Sequence, residues 1–543
     1  MTSQREPYRT QADALNGVNA AAILFAGRTC RPYAFEKCFD GKNAFTLALK
    51  KAAAFSGVVK ITVLAPEDFD ENLIPGGIER IELVRAASWN VKAFLYALAK
   101  AGEGFDLSYF AWADTPFLDA KLAGALARRL LDNAAEYAYA DGWPDGLAPE
   151  VLSPGTAGIL ARINGDNEAP VERDTIFAVL QKDINAFDIE TELAPDDLRQ
   201  HRLNLAASSK RNLLLLRRFW EAGLAAAEQT SWAAARIVRE KPALLRTLPA
   251  FYPVQLTSAC PQRCSLCPYP EFKDFTLADA ASRGEFPYLR LEDFTVLLDK
   301  IGDFSGDAVI DLSLWGETAL HPQRIALIKA VLRKPELSLV VETSGIGWGR
   351  GEFELLASES VAAAPRRNGM APLSWIVSLD SNDEAEYRKL RGEGFSVAVE
   401  SATAILSSFP KDGYVQAVRR KGNEIDIEKF YRHWKERGAN VIVQKYDSFC
   451  GALPDLSAAD ISPVRRNPCW HLMRDMPVLL DGTVPVCRAA MDGARGAPAS
   501  LGNALTEDLE VIWRRGEALY ERHCAEDYQG LCSKCDEYYT FNF

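Results

Sequence analysis

The sequence predicts an α/β protein in three parts: an N-terminal doubly wound sheet, a central partial (β/α)6 barrel and a small Cys-rich C-terminal module. Three observations predict it. Apolar strand-like runs alternate with segments of helical spacing, first from Asn19 onward and again from Phe251, which implies two mostly parallel sheets. In the second series, glycines and polar residues fall at the strand ends, where a parallel barrel keeps its active site. Nine of the eleven cysteines lie from Cys260 onward, so any thiol chemistry belongs to the second half.

The chain has 543 residues, too many for one ordinary domain. The expected divisions are a first domain at 1–235, a linker at 236–250, the barrel at 251–447 and the tail module at 448–543. Composition is that of a soluble globular protein, 48% apolar and 25% charged. The net charge is −12 and no basic stretch stands out, which argues against nucleic acid as a partner. The apolar run Ala20–Ala26 is far short of the ~20 residues that a bilayer span needs. The first residues, MTSQREPYRT, are polar and do not read as a signal peptide. The expectation is a cytoplasmic protein without a membrane partner, whose cysteines are metal ligands before they are disulfides.

Asn19–Ala26 (NAAAILFA) stops at Gly27, as a buried strand would. Phe45–Phe55 has helical spacing, Val58–Ala65 reads as a strand and Asn90–Lys100 as a helix. Leu107–Ala113 is a third strand and Leu122–Leu131 a further helix. Asp114 stands at a strand end, where ligands meet such sheets; the bare reading is a helix cap. Ser208–Ala250 repeats apolar residues at helical spacing (Leu213, Leu216, Phe219, Leu224) and reads as connecting helices.

Three stretches of this half carry a resemblance: AILFAG (Ala22–Gly27), ADTPF (Ala113–Phe117) and DIETELAPDDLRQHRLNL (Asp188–Leu205). They resemble nucleotidyltransferases of the GT-A kind, such as the CMP-sugar synthetases. The resemblance implies a phosphate-cradling loop, here FAGRTCRPYAFEK with one glycine and with Arg28, Arg31 and Lys37. It also implies a nucleotide and a divalent metal such as Mg2+ at Asp114. Nucleotide transfer, nucleotide binding without transfer, and a structural domain stand as three readings.

The alternation restarts at Phe251–Leu256, which leads into TSACPQRCSLCPYP (Thr257–Pro270). Cys260, Cys264 and Cys267 stand there as C-x3-C-x2-C. Three thiolates on one loop can hold three irons of a 4Fe–4S cluster and leave the fourth without a protein ligand. An open position on a metal is where chemistry happens. Zinc is the alternative, although it prefers four ligands. Helices then follow at Leu291–Ile301, Gln323–Arg333, Glu352–Ala363, Val397–Phe409 and Ile425–Arg437. Strands alternate with them at Ala308–Leu314, Leu337–Val341, Trp375–Leu379, Tyr414–Arg419 and Asn440–Lys445. The strand ends read Trp315-Gly316-Glu317-Thr318, Glu342-Thr343-Ser344-Gly345 and Ser378-Leu379-Asp380-Ser381, with Asn423 after the fifth. Glycine lets a ligand approach the backbone, and a carboxylate accepts well from an ammonium group. Taken one by one, each is equally a polar cap.

In this order and register, the cysteine loop and strand ends resemble the radical S-adenosylmethionine (radical SAM) family. The resemblance implies that SAM chelates the open iron, and that reduction cleaves it to a 5′-deoxyadenosyl radical. It implies a place for Leu266 beside the adenine and for Gly316 and Glu317 at the SAM amino group. Trp315 replaces the first glycine of the commoner G-G-E form. Ser344 stands in the family's T-N-G position, and Ser378 and Asp380 in the S-x-D that meets the ribose and methionyl part.

In the tail, Pro468–Cys469 and Leu480–Cys487 (LDGTVPVC) read as a small hairpin turning at Asp481-Gly482, and Asp508–Glu521 as an amphipathic helix. Cys469, Cys487, Cys532 and Cys535 suffice for a second, fully ligated cluster or for structural zinc; Cys450 and Cys524 are left over, and two auxiliary clusters that use them are the alternative. The order C, DG-x-V-x-x-C, LGN (Leu501–Asn503), IW (Ile512–Trp513), C-x2-C resembles the SPASM/twitch extension of radical SAM enzymes. It implies an auxiliary 4Fe–4S cluster for electron transfer. Together the resemblances imply an oxidoreductase or rearrangement enzyme. Its substrate would be a small sugar- or cyclitol-like molecule, free or nucleotide-linked, and its reductant a flavodoxin or ferredoxin. Modification of a peptide or protein is the alternative among enzymes. A zinc- and nucleotide-binding scaffold without redox chemistry is the alternative outside them.

Overall fold

The computed structural model describes residues 15, 17–27, 33–78, 80–269, 288–490 and 500–540. The chain forms two compact units, Met1–Thr247 and Leu248–Phe543.

In the first unit, β1 (Ala20–Phe25), β2 (Val58–Pro66), β3 (Ile81–Ala86), β4 (Leu107–Trp112), β5 (Tyr137–Asp141), β6 (Glu150–Leu152) and β7 (Ile189–Leu193) make one sheet. Their order is β3-β2-β1-β4-β6-β5-β7. Every residue of β1 and β4 is buried, as in strands covered on both faces. β6 runs against both its neighbours, β4 and β5. The sequence reading found β1, β2 and β4 and passed over the rest. β3 is a partly exposed edge strand without an apolar run, and β6 has only three residues, too few to show a period. Asn43, Asn90 and Asp119 cap the helices Ala44–Ala53, Val91–Ala101 and Ala120–Asp132, each accepting backbone N–H bonds of the first turn. The helices Lys210–Glu221 and Thr230–Glu240 belong to this unit, which ends inside the stretch expected as a linker.

In the second unit, β8 (Phe251–Pro253), β9 (Ala308–Asp311), β10 (Leu337–Thr343), β11 (Leu373–Ser378), β12 (Gly413–Arg419) and β13 (Asn440–Lys445) pair in parallel and in chain order. This is the expected partial barrel. Ile310, Leu339, Trp375 and Val377 pack outward on helix residues such as Leu297, Ile301, Leu327 and Phe353. On the inner face, Phe251, Val309, Val340 and Ile376 form an apolar plug with Tyr414 and Ile442 against it.

The tail is not a separate appendage. Met476 N donates to Phe251 O at 3.0 Å and Val478 N to Pro253 O at 2.8 Å, and Gln255 N donates to Val478 O at 2.9 Å. These bonds cover the edge of β8, which a partial barrel would leave unpaired. Lys300 Nζ donates to the carbonyl oxygens of Ala504, Leu505 and Glu507 at 2.9, 3.2 and 3.0 Å, while Ile512 and Trp513 enter the barrel core. Two expectations are corrected. The turn at Asp481-Gly482 does not fold a hairpin within Leu480–Cys487; it brings β14 (Thr483–Val484) against β15 (Gly502–Asn503). The helix expected at Asp508–Glu521 breaks at Gly516 into Leu509–Arg515 and Glu517–Cys524, because glycine is a poor helix former.

Trp375 is fully buried, edge-on to Trp348 at 5.0 Å and to Phe353 at 5.4 Å. Trp375→Ala should cost roughly 3–5 kcal/mol, the range for deleting a buried aromatic. An unchanged denaturant midpoint would contradict this packing.

Candidate metal and cofactor site

The loop after β8 brings Cys260, Cys264 and Cys267 together, all three half-buried. It is braced from several sides. Ser265 N donates to Leu390 O at 2.8 Å, Gln262 Nε2 to Tyr387 Oη at 2.8 Å, and Cys267 N to Cys264 O at 3.2 Å. Burial pushes all three thiols up, Cys267 to about 12, and the neighbouring thiols add to the rise at Cys260 and Cys267. A positive charge stands beside them at Arg391, whose Nη1 lies 3.9 Å from Cys264 Sγ. Three thiolates outweigh this guanidinium, which Asp380 also holds. A cationic iron–sulfur or zinc centre would supply the balance, so the donor set fits such a group.

The loop after β9 lies against the cysteine loop. Gly316 has φ +85°, and a Cβ there would stand 2.1 Å from Thr257 O, so only glycine fits. Trp315 beside it is also left-handed, at φ +49°, an uncommon state for a bulky residue. Glu317 N donates to Ala259 O at 2.7 Å. The Glu317 carboxylate is buried and fully bonded. Oε1 accepts from Thr343 Oγ1 at 2.6 Å and Ala319 N at 3.2 Å; Oε2 accepts from Ser344 N at 2.8 Å and Ser344 Oγ at 2.7 Å. Burial raises its pKa and the bonds from Thr343 and Ser344 draw it back.

The other expected residues are placed as follows. Leu266 is half-buried on the cysteine loop. Ser378 Oγ donates to Glu342 Oε1 at 2.7 Å. Asp380, left-handed at φ +63°, accepts from Arg391 Nε at 2.6 Å and Val418 N at 2.7 Å. Asp380 therefore reaches the cysteine loop through Arg391. Asn423 is spent on its own turn, bonding Arg420 N and Val418 O.

In the tail, the thiols of Cys469, Cys487, Cys532 and Cys535 feel one another's charge. Cys450 joins them: it bonds Cys535, which lowers the Cys535 pKa and raises its own. Sequence reasoning left Cys450 unassigned, since it has no partner at a telling spacing. Its backbone and that of Phe449 are both left-handed, which only the fold discloses. No cysteine contributes to the pKa of Cys524, which burial raises first and Tyr520 bonds. Around the loop of Cys535, Lys445 Nζ reaches Asp536 at 2.6 Å and Glu537 at 2.5 Å, and Arg488 reaches Asp447 at 2.8 Å.

In the first unit, Asp114 is fully buried and ion-paired with Arg173, whose guanidinium lies 4.8 Å from the Trp112 ring. Asp114 Oδ1 is buried without a hydrogen-bond partner. The cap expected of Asp114 belongs instead to Asp119. Lys37 is exposed, and Arg28 and Arg31 lie outside the described residues.

Residues 469–536 match the SPASM family, described as an iron–sulfur cluster-binding domain. The match takes in Cys469, Cys487, Cys532 and Cys535 and leaves Cys450 outside. The chain is 37% identical over 377 residues to a protein of Treponema pallidum (strain Nichols) described as an uncharacterized protein, across 68% of this chain and 98% of that one. It belongs to the same family as that protein. Among solved structures it is similar to Streptococcus suis SuiB bound to precursor peptide SuiA, at 15% identity and a TM-score of 0.39 over 52% of this chain and 69% of that one. It is similar also to a cytidylyltransferase from Leptospira borgpetersenii serovar Hardjo-bovis, at 14% identity and a TM-score of 0.35 over 42% of this chain and 96% of that one.

Gly316→Ala should destabilise the second unit by at least ~1–2 kcal/mol from the left-handed backbone alone, and should displace Thr257 just before Cys260. A variant with the melting temperature and the metal content of the parent would contradict this close approach.

Proposed function

We propose that the chain is a radical SAM enzyme acting on a small sugar- or cyclitol-like substrate, free or nucleotide-linked, by oxidation or rearrangement. The observation that carries the reading is the joining of two loops. The Gly316-Glu317 peptide is bonded to the backbone of the loop that gathers Cys260, Cys264 and Cys267. Those three thiols would hold a 4Fe–4S cluster with one iron open. When bound and reduced, the cluster would supply the electron that cleaves SAM, whose 5′-deoxyadenosyl radical takes a hydrogen atom from the substrate. Cys469, Cys487, Cys532 and Cys535 would hold an auxiliary 4Fe–4S cluster, with Cys450 as a fifth thiol beside them. The SPASM match over 469–536 supports that assignment. A flavodoxin or ferredoxin would be the electron donor.

The chain's own residues position and screen. Glu317 ties the ends of β9 and β10, and the SAM ammonium would take the place of one of the bonds that its carboxylate accepts from Thr343 or Ser344, with Gly316 leaving backbone space. Ser344 shares that carboxylate. Asp380 holds Arg391 over Cys264, and Leu266 stands on the same loop for the adenine. Ser378 acts from the same rim through Glu342. For the first unit the reading is nucleotide binding without transfer. Asp114 already has its cation in Arg173, so a magnesium ion there would gain little.

Replacing Cys260, Cys264 and Cys267 together by Ala should remove roughly half the iron, one cluster of two, and abolish SAM cleavage. Replacing Cys532 and Cys535 should also lower iron yet leave SAM cleavage uncoupled from turnover. Loss of SAM cleavage in both variants alike would count against two separate sites.

Glu317→Gln keeps the shape and removes the charge. A charge-assisted bond of ~1.5–3 kcal/mol makes the expected loss of SAM affinity roughly tenfold to a hundredfold, with iron retained. Unchanged SAM affinity by calorimetry would sink this role.

A further inference from the structure

Three guanidinium groups send their charge to the tail thiols: Arg488 to Cys487, and Arg466 and Arg522 to Cys532. Two of them are already met. Arg488 is paired with Asp447 at 2.8 Å and Arg522 with Asp527 at 2.9 Å. Arg466 differs. Its neighbour Arg465 takes Glu526 at 3.5 Å, and among the described residues no carboxylate stands within ion-pair distance of Arg466 itself. Its guanidinium is caged by two aromatic rings, with the central carbon 4.0 Å from the ring centre of Tyr528 and 4.4 Å from that of Tyr538. Tyr528 Oη donates to Arg466 O at 3.3 Å and so fixes the cage to the chain it holds. Arg466 Nη2 donates to Cys532 O at 2.7 Å, and Arg466 Nε is buried.

The Tyr528 ring also meets His523, edge-on at 4.9 Å. His523 is 1% exposed. Its Nδ1 accepts from Cys469 N at 3.4 Å, so the proton of the neutral ring is on Nε2. Arg466 Nε and His523 Nε2 are two buried donors without an acceptor among the described residues. Buried donors are bonded in the great majority of cases, and an exception asks for a reason. Here two exceptions share one stack, Tyr538, Arg466, Tyr528 and His523. The stack grips the backbone of Cys532 at one end and that of Cys469 at the other, cysteines from the two ends of the iron–sulfur match at 469–536. The acceptor that suits both donors is the sulfur of an anionic group held by these same cysteines, and hydrogen bonds to the sulfurs are among the factors that set the potential of an iron–sulfur group.

We infer that Arg466 and His523 form the donor wall of the auxiliary cluster: positioning residues that hold Cys532 and Cys469 and raise the reduction potential of the group bound there. Arg466 acts through its charge and His523 through its Nε2–H. Reduction adds an electron to a site already rich in thiolate, so a fixed positive charge beside it favours the reduced state. This inference rests on the reading that Cys469, Cys487, Cys532 and Cys535 hold an iron–sulfur cluster, and it adds which residues tune that cluster.

The test is a redox titration, followed by electron paramagnetic resonance, of the full-length protein reconstituted with iron and sulfide. Cys260, Cys264 and Cys267 are replaced by Ala in every sample, so that the tail alone gives the signal. Arg466→Gln should lower the reduced-to-oxidised ratio at a fixed potential by about tenfold, the effect of one neighbouring charge, which is ~59 mV for one electron. Arg466→Lys keeps the charge and should stay close to the parent. His523→Phe keeps a ring against Tyr528 and removes the N–H; it should shift the ratio the same way by less. An unmoved or raised potential in Arg466→Gln, or an equal fall in the Gln and Lys variants, would overturn the inference. Loss of the tail signal from Arg466→Gln with its retention in Arg466→Lys would support it, since the charge is then what the site needs. Loss from both would overturn it and leave Arg466 a packing residue. A parent whose tail takes up no iron is a separate failure, which would overturn the cluster reading and this inference with it.

Discussion

The second unit hangs on one backbone contact. Gly316 presses against the Thr257 carbonyl, where a Cβ would stand 2.1 Å away, and the next amide, Glu317 N, bonds Ala259 O at 2.7 Å. This fixes the β9 end on the cysteine loop that follows β8. The Glu317 carboxylate then gathers Thr343 and Ser344 from the β10 end. A second chain of bonds runs from β12 through Val418 N to Asp380 after β11, and through Arg391 to Cys264. The ends of four consecutive strands, β9 to β12, are thus tied to the cysteine loop by backbone amides and two carboxylates. Such a rim holds its side chains in place before any ligand arrives, and pre-organisation of this kind is what catalysis by positioning needs.

The charges follow the same plan. Around the cysteine loop, three thiols and the buried Glu317 stand with the guanidinium of Arg391, which Asp380 shares. In the tail, five thiols stand beside Lys445 and Arg488, whose charges are met by Asp447, Asp536 and Glu537. In both groups the thiols outnumber the guanidinium groups whose charges reach them, Arg391 at the cysteine loop and Arg466, Arg488 and Arg522 in the tail. Each is costly as a thiolate set and suited to a metal centre that brings the charge with it. The first unit differs, since the buried strand-end carboxylate of Asp114 is met by Arg173.

Much of this was legible in the sequence, and the reasons divide cleanly. C-x3-C-x2-C is a local pattern, so Cys260, Cys264 and Cys267 could be read as one ligand set without the fold. The barrel strands announced themselves because a parallel strand buried on both faces is an apolar run. Cys450 could not be read, because only tertiary folding brings it to Cys535. Arg173 stands 59 residues from Asp114, so their pairing left no trace in spacing. The contact between β10 and β11 needs the strand register: Ser378 was visible as part of a strand-end motif, but its bond to Glu342 was not. The tail hairpin misled because Asp-Gly marks a turn and not the strand that the turn will meet; Thr483–Val484 found Gly502–Asn503 instead.

The central claim is that Cys260, Cys264 and Cys267 hold a cluster with an iron open to SAM. Electron paramagnetic resonance of the reduced, iron-reconstituted full-length protein, with and without SAM, tests it directly. The account predicts two cluster signals in the parent protein, of which one shifts on adding SAM and is missing from the protein with all three cysteines replaced by Ala. A reduced signal indifferent to SAM, or zinc in place of iron at these thiols, would contradict it.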